Sequence, residues 1–117
     1  MKQEIKLVLP YPPGANRLWR NMRGTMVKSE EARKYALDVA TLARSKRIQP
    51  IDGDVVVYLE FYRPKQMGDL DNRIKPLLDS LQGVAFHDDK QVVEIHAVRR
   101  DDPKHPRVEV KIEAIAA

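Results

Sequence analysis

Between residues 3 and 9 the chain alternates, with Ile5, Leu7 and Leu9 on one face, and this predicts a strand with one buried side. The alternation stops at Tyr11-Pro12-Pro13-Gly14, and residues 11 to 24 read as a long loop, because Pro-Pro-Gly blocks regular structure. Helical spacing takes over next. Ser29 is a helix cap with Glu30 and Glu31 in the first turn; Ala32, Tyr35, Ala36, Val39, Ala40 and Ala43 line an inner face. Arg44, Lys46 and Arg47 close that helix, where the dipole favours cations. Pro50 and Gly53 mark a turn into a second strand, in which Val55, Val57, Leu59 and Phe61 alternate with Val56, Tyr58, Glu60 and Tyr62. Ile74, Leu77, Leu78 and Leu81, closed by Gly83, predict a second helix over about 71 to 82. Residues 91 to 99 read as a third strand. Residues 101 to 106 read as a turn, and Val108, Val110 and Ile112 mark a fourth strand that is expected to form a hairpin with the third. The order β-α-β-α-β-β predicts an α+β fold, a mixed sheet with two helices packed on it, in a single domain over 1–117.

Composition narrows the class. Apolar residues make up 43% of the chain, enough for a modest core and too many for a disordered segment. There is no cysteine, which excludes disulfides and thiolate zinc and suits a reducing compartment. No apolar run is long enough for a signal peptide or a membrane span, so the expected location is cytoplasmic, with no membrane partner. The net charge is +4, and residues 1 to 28 alone carry a balance of +5. A basic segment beside a nearly neutral body fits a phosphate-tracking arm, although a solubilising surface explains charge alone equally well.

That body contains an acidic island. Asp69-Leu70-Asp71 is followed by Lys75, and a second pair, Asp88-Asp89, comes before the third strand. Carboxylates repel one another unless a cation joins them, and clusters of oxygen donors suit Mg²⁺, which completes its shell with substrate phosphate. In an extended segment Asp69 and Asp71 would share a face about 7 Å apart. The pair would then sit where that segment enters the second helix, with Asp71 or Asn72 as N-cap and Lys75 about one turn in. Pro76 is tolerable early in that helix. Asp-x-Asp at a helix start also serves simple dipole compensation. The second pair lies in the turn after the helix, and spacing alone does not show whether it returns beside the first.

Taken together, Asp69-Leu70-Asp71-Asn72-x-x-Lys75-Pro76-x-x-Asp79-x-Leu81-x-Gly83 and Asp88-Asp89-x-Gln91-Val92 resemble the signature of the RusA family of Holliday junction resolvases. The early Leu9-Pro10-x-Pro12-Pro13-x-x-Asn16-Arg17 is similar to that family's N-terminal segment, and the likeness covers nearly the whole chain. The resemblance implies a RusA-like fold and a homodimeric, Mg²⁺-dependent endonuclease, with Mn²⁺ able to substitute, that resolves four-way DNA junctions by paired symmetric nicks in recombination and repair. Carried over by motif position, Asp69, Asp71 and Asp89 are the metal-binding carboxylates and Lys75 the essential lysine of the same site. Asp88 and His87 stand as outer neighbours. Adjacent residues of a strand point to opposite faces, so only one of Asp88 and Asp89 is expected to face the metal.

The chemistry leaves some roles open. Lys75 can protonate the leaving oxygen or act as a point charge on the phosphate, and the site can hold one ion or two. Asn16, Arg17, Arg20, Arg23, Lys65 and Arg73 are the DNA-binding candidates; Asn16 can equally order its loop. Trp19 can stack on a base or pack on its own domain. Asp79 reads as a helix-surface or capping residue, and His96 and His105 carry no assignment. The rival readings are a non-catalytic junction-binding protein and a metal-dependent nuclease acting on other branched DNA.

Overall fold

The structure is a computed structural model that describes residues 3–14, 19–64 and 70–115, with the side chains of Trp19 and Asp71 outside that description. Asn16, Arg17, Lys65 and Asp69 therefore lie outside the described residues.

The alternating N-terminal segment forms strand β1, Glu4–Leu9, with Ile5, Leu7 and Leu9 buried. Two short strands follow, β2 at Trp19–Met22 and β3 at Thr25–Lys28, paired antiparallel as a separate ribbon. This ribbon corrects the expected loop over residues 11 to 24. Arg23 and Gly24 both have positive φ, 52° and 83°, as a tight hairpin turn of matching twist requires, and Asn21 Oδ1 accepts from the Gly24 N–H at 3.0 Å. Arg-Gly is a weaker turn signal than Asn-Gly, and the neighbouring prolines masked it.

Helix α1, Glu30–Ser45, is capped by Ser29, whose hydroxyl accepts from the Ala32 N–H at 3.1 Å. It buries Ala32, Tyr35, Val39 and Ala43. Tyr35 donates its hydroxyl to the Pro10 carbonyl at 2.7 Å, tying α1 to the exit of β1, and burial pushes its pKa above the ordinary range. Strand β4 is Val55–Arg63, helix α2 is Asp71–Leu81, β5 is Val92–Asp101 and β6 is Arg107–Ala114.

The main sheet has the order β1-β6-β4-β5. Strand β6 pairs antiparallel with both β1 and β4, whereas β5 runs parallel to β4. The last two strands are thus not a hairpin, because β4 lies between them. The reason is the α2 crossover: a strand reached through a helix returns parallel, beside the strand it left. The chain then crosses the end of β4 to reach β6. That crossing is pinned by the Asp102 N–H on the Arg63 carbonyl at 3.0 Å and by Arg63 Nε on Asp101 Oδ1 at 2.7 Å.

Both helices cover one face of the sheet, where Val57, Leu59, Phe61, Val108, Val110 and Ile112 meet Val39, Leu77 and Leu81. Each fully buried side chain of this size contributes about 1.5–3 kcal/mol relative to exposure. No helix among the described residues is long and apolar enough to cross a membrane.

Candidate active site

Helix α2 starts differently from expectation. Its N-cap position is Leu70, which has helical backbone angles and makes no side-chain capping bond; Asp71 is already the first helical residue. The expected cap at Asp71 or Asn72 is therefore corrected. The extended geometry that would place Asp69 and Asp71 on one face does not run through Leu70 either. Asp71 still stands where the helix dipole favours a negative charge.

The apolar spacing of α2 decides which side faces out. Leu77 and Leu81 are fully buried, with Ile74 and Leu78 packed against the same core. That leaves Lys75 and Asp79, one turn apart, on an open side. Their Nζ and Oδ1 are 2.8 Å apart, and Asp89 Oδ2 lies 3.9 Å from the same ammonium. Hydrogen bonding to Asp79 is the main cause that raises the Lys75 pKa, so the side chain is a cation at neutral pH. Asp79 thus does more than decorate the helix surface: it holds Lys75 from below while Asp89 approaches from outside the helix.

The second acidic pair does return to α2, through a turn anchored in the core. Gly83, at φ +84°, takes the chain off the helix through a left-handed step that other residues rarely adopt. Ala85 and Phe86 are fully buried, and the Ile51 N–H donates to the Ala85 carbonyl at 2.9 Å. A short 3₁₀ turn, Asp89–Gln91, then leads into β5. Asp88 caps that turn, accepting from the Lys90 N–H at 2.9 Å, a bond that holds its carboxyl below the usual range. Asp88 is directed onto the backbone and Asp89 towards Lys75. Both residues precede β5, at a capped 3₁₀ turn, so the strand alternation expected to part them does not operate here. His87 Nε2 is 2.7 Å from Asp52 Oδ1 and ties the turn to the residues before β4.

Among the described residues no three His, Asp or Glu side chains gather into a metal-binding group. Asp89 is the metal candidate whose side chain is described, and it is half-exposed.

The cationic candidates divide. Arg20 and Arg23 are exposed on the β2–β3 ribbon, beside Met22 and Met26, which are also exposed. Arg73 is turned inward: Nη1 donates to the Pro12 carbonyl at 2.9 Å, and the guanidinium lies 5.1 Å from the centre of the Tyr11 ring. It fastens the segment leading to the ribbon onto the start of α2. Sequence reasoning assigned no role to Gln91, whose carboxamide binds both the acidic turn and the segment before β4. Its place in the Asp88-Asp89-x-Gln91-Val92 segment that carries the family resemblance was the available signal.

The family described as Endodeoxyribonuclease RusA matches residues 10–113. The chain is 31% identical over 112 residues to the crossover junction endodeoxyribonuclease rusA of Enterobacteria phage HK97, covering 93% of each. It is 32% identical over 109 residues, 91% of each, to the proteins of the same name from Escherichia coli strain K12 and from Enterobacteria phage 82.

Proposed function

The chain belongs to the RusA family of endodeoxyribonucleases, and we propose that it resolves four-way DNA junctions by metal-dependent hydrolysis of phosphodiester bonds, as a homodimer. The observation that carries this reading is the convergence of Lys75 and Asp89, with Asp79 behind, on the open side of α2 one turn from Asp71. The similarity to proteins named crossover junction endodeoxyribonucleases supplies the substrate class.

In this reading Asp69, Asp71 and Asp89 hold the metal. All their donors are carboxylate oxygens, which fits Mg²⁺, or Mn²⁺ in its place, and the half-exposed Asp89 is open to a ligand. A divalent ion bound there would neutralise charge building on the phosphate and lower the pKa of a bound water. The protein's own part is positional and electrostatic. Lys75 presents a fixed positive charge to a phosphate oxygen, and Asp79 holds that ammonium in one place. Asp88 shapes the turn, and His87 braces it through Asp52.

The β2–β3 ribbon supplies the DNA contact. Residues 19 to 28 contain Arg20, Arg23 and Lys28 with no acidic residue, and a two-stranded ribbon is narrow enough to enter a major groove. Asn16, Arg17 and Lys65 are further candidates for contact with the DNA. Arg73 serves it indirectly by anchoring the segment from which the ribbon springs. Two copies related by a two-fold axis match a junction of approximate two-fold symmetry and give one nick in each of two opposed strands. The protein would act beside the DNA, in the cytoplasm.

The test is incubation of a synthetic four-way junction, with a linear duplex of the same sequence as control, with and without Mg²⁺. Paired symmetric nicks confined to the junction and dependent on the ion support the reading. Junction binding without nicks in Mg²⁺ or Mn²⁺ contradicts it.

A further inference from the structure

Beyond the buried Ala85 and Phe86, residues 87 to 90 of the turn that carries Asp89 are exposed, yet the position of Asp89 relative to Lys75 must be held within a fraction of an ångström for catalysis. One side chain ties these exposed residues to the segment before β4. Gln91 Oε1 accepts from the His87 N–H at 2.6 Å and from the Asp88 N–H at 2.9 Å. Gln91 Nε2 donates to the Ile51 carbonyl at 2.8 Å and to the Gly53 carbonyl at 2.7 Å. A carboxamide has two good acceptor directions and two N–H donors, and all are used. Its orientation is therefore dictated: the oxygen must face the turn's amides and the nitrogen the carbonyls before β4. Neither glutamate, lacking the donors, nor methionine, lacking both, reproduces the set.

We propose that Gln91 is the positioning residue of the site. Its carboxamide clamps the backbone of His87 and Asp88 to residues 51 and 53, and so sets where the Asp89 carboxylate stands relative to Lys75 and α2. The inference rests on the nuclease reading for its chemical consequence, while the clamp itself is a property of the fold. Groups that orient a ligand without touching the metal typically contribute about 10–100-fold in metal affinity or activity.

The experiment compares the parent protein with Gln91→Met, similar in length but without the hydrogen bonds, and Gln91→Glu, which keeps the acceptors and loses the donors. Three quantities are read: amide hydrogen exchange over residues 84 to 92, direct Mn²⁺ binding by calorimetry, and single-turnover junction cleavage across a Mn²⁺ series. The expected result is faster exchange confined to that segment, Mn²⁺ affinity about 10–100-fold weaker, and cleavage lost at low Mn²⁺ but recovered at high Mn²⁺. Asp89→Asn should show no such recovery. Unchanged exchange over 84 to 92 overturns the clamp. Faster exchange with parental Mn²⁺ affinity and cleavage leaves Gln91 a merely structural residue and overturns the positioning role, as does loss of fold in both variants. A parent protein that binds no Mn²⁺ and cuts no junction would instead sink the nuclease reading, with the exchange data still deciding the clamp.

Discussion

The ammonium of Lys75 and the carboxylate of Asp89 stand 3.9 Å apart, one on helix α2 and the other on the turn that leads from it to β5. The helix brings the lysine out on its open side because Leu77 and Leu81 are held in the core. The buried Phe86 and the Gln91 clamp bring the aspartate back to it. Neither partner is where it is through local sequence alone.

Removing the charge from Lys75 tests its role most simply. Lys75→Met should lower the cleavage rate by about 10²–10³-fold, the usual effect of losing one preorganised stabilising group, while junction binding weakens by far less. Single-turnover kinetics beside a gel-shift titration separate the two. Lys75→Arg should recover part of the rate if the lysine acts as a fixed charge, and none if it must surrender a proton.

The two neighbouring aspartates should behave unequally. Asp88→Asn keeps a competent N-cap for the 3₁₀ turn and should leave cleavage within a few-fold of the parent. Asp88→Ala should lower the melting temperature slightly, again with activity retained. Asp89→Asn should lose cleavage with little change in melting temperature. Equal losses in Asp88→Asn and Asp89→Asn would show that the assignment of one to the cap and the other to the site is wrong.

Arg73 gives a sharp contrast with the exposed arginines. Arg73→Ala breaks a charged hydrogen bond to Pro12 and the packing on Tyr11, and should cost roughly 1–3 kcal/mol of stability in denaturant unfolding. Arg73→Lys should not restore it, because an ammonium cannot lie flat over the ring while reaching the carbonyl. Arg20→Ala with Arg23→Ala should leave stability unchanged. It should weaken junction binding and reduce the slope of log affinity against log salt by about one for each phosphate that is no longer neutralised.

The Arg63–Asp101 pair predicts an acid response. Hydrogen bonding to Arg63 holds the Asp101 carboxyl below its ordinary value of 3.8. A carboxyl lowered in the folded state stabilises the fold fully above its unfolded pKa, and this contribution disappears as pH falls through the folded value. Arg63→Met should therefore be less stable than the parent at pH 7, and the gap should close below about pH 4. Thermal unfolding across pH 2 to 7 measures this. A gap that widens in acid would contradict the pairing.

The strands with one buried face were legible because alternation reports a single buried side directly: Ile5, Leu7 and Leu9, or Val108, Val110 and Ile112, are as expected from their spacing. Helix α1 was legible to its cap at Ser29. Strand partners were not, since the pattern within β5 and β6 says nothing of β4 coming between them; only the parallel return through α2 implies it. The β2–β3 ribbon escaped notice because it packs little apolar surface, so no periodic signal marks it. At the site, residue types pointed to Lys75 and Asp89 through the family resemblance. Their meeting depends on Gly83, Phe86 and Gln91, residues that act through backbone geometry, burial and main-chain hydrogen bonds, and these leave no charge pattern to read.

If the meeting of Lys75 and Asp89 is the catalytic centre of a junction nuclease, its most direct test is single-turnover cleavage of a four-way junction by Asp89→Asn, with binding to the same junction measured in parallel. Cleavage should fall by at least about 10²-fold while binding is kept or strengthened, because a negative charge facing the phosphates is removed. Cleavage at the parental rate by a folded Asp89→Asn protein would contradict this assignment.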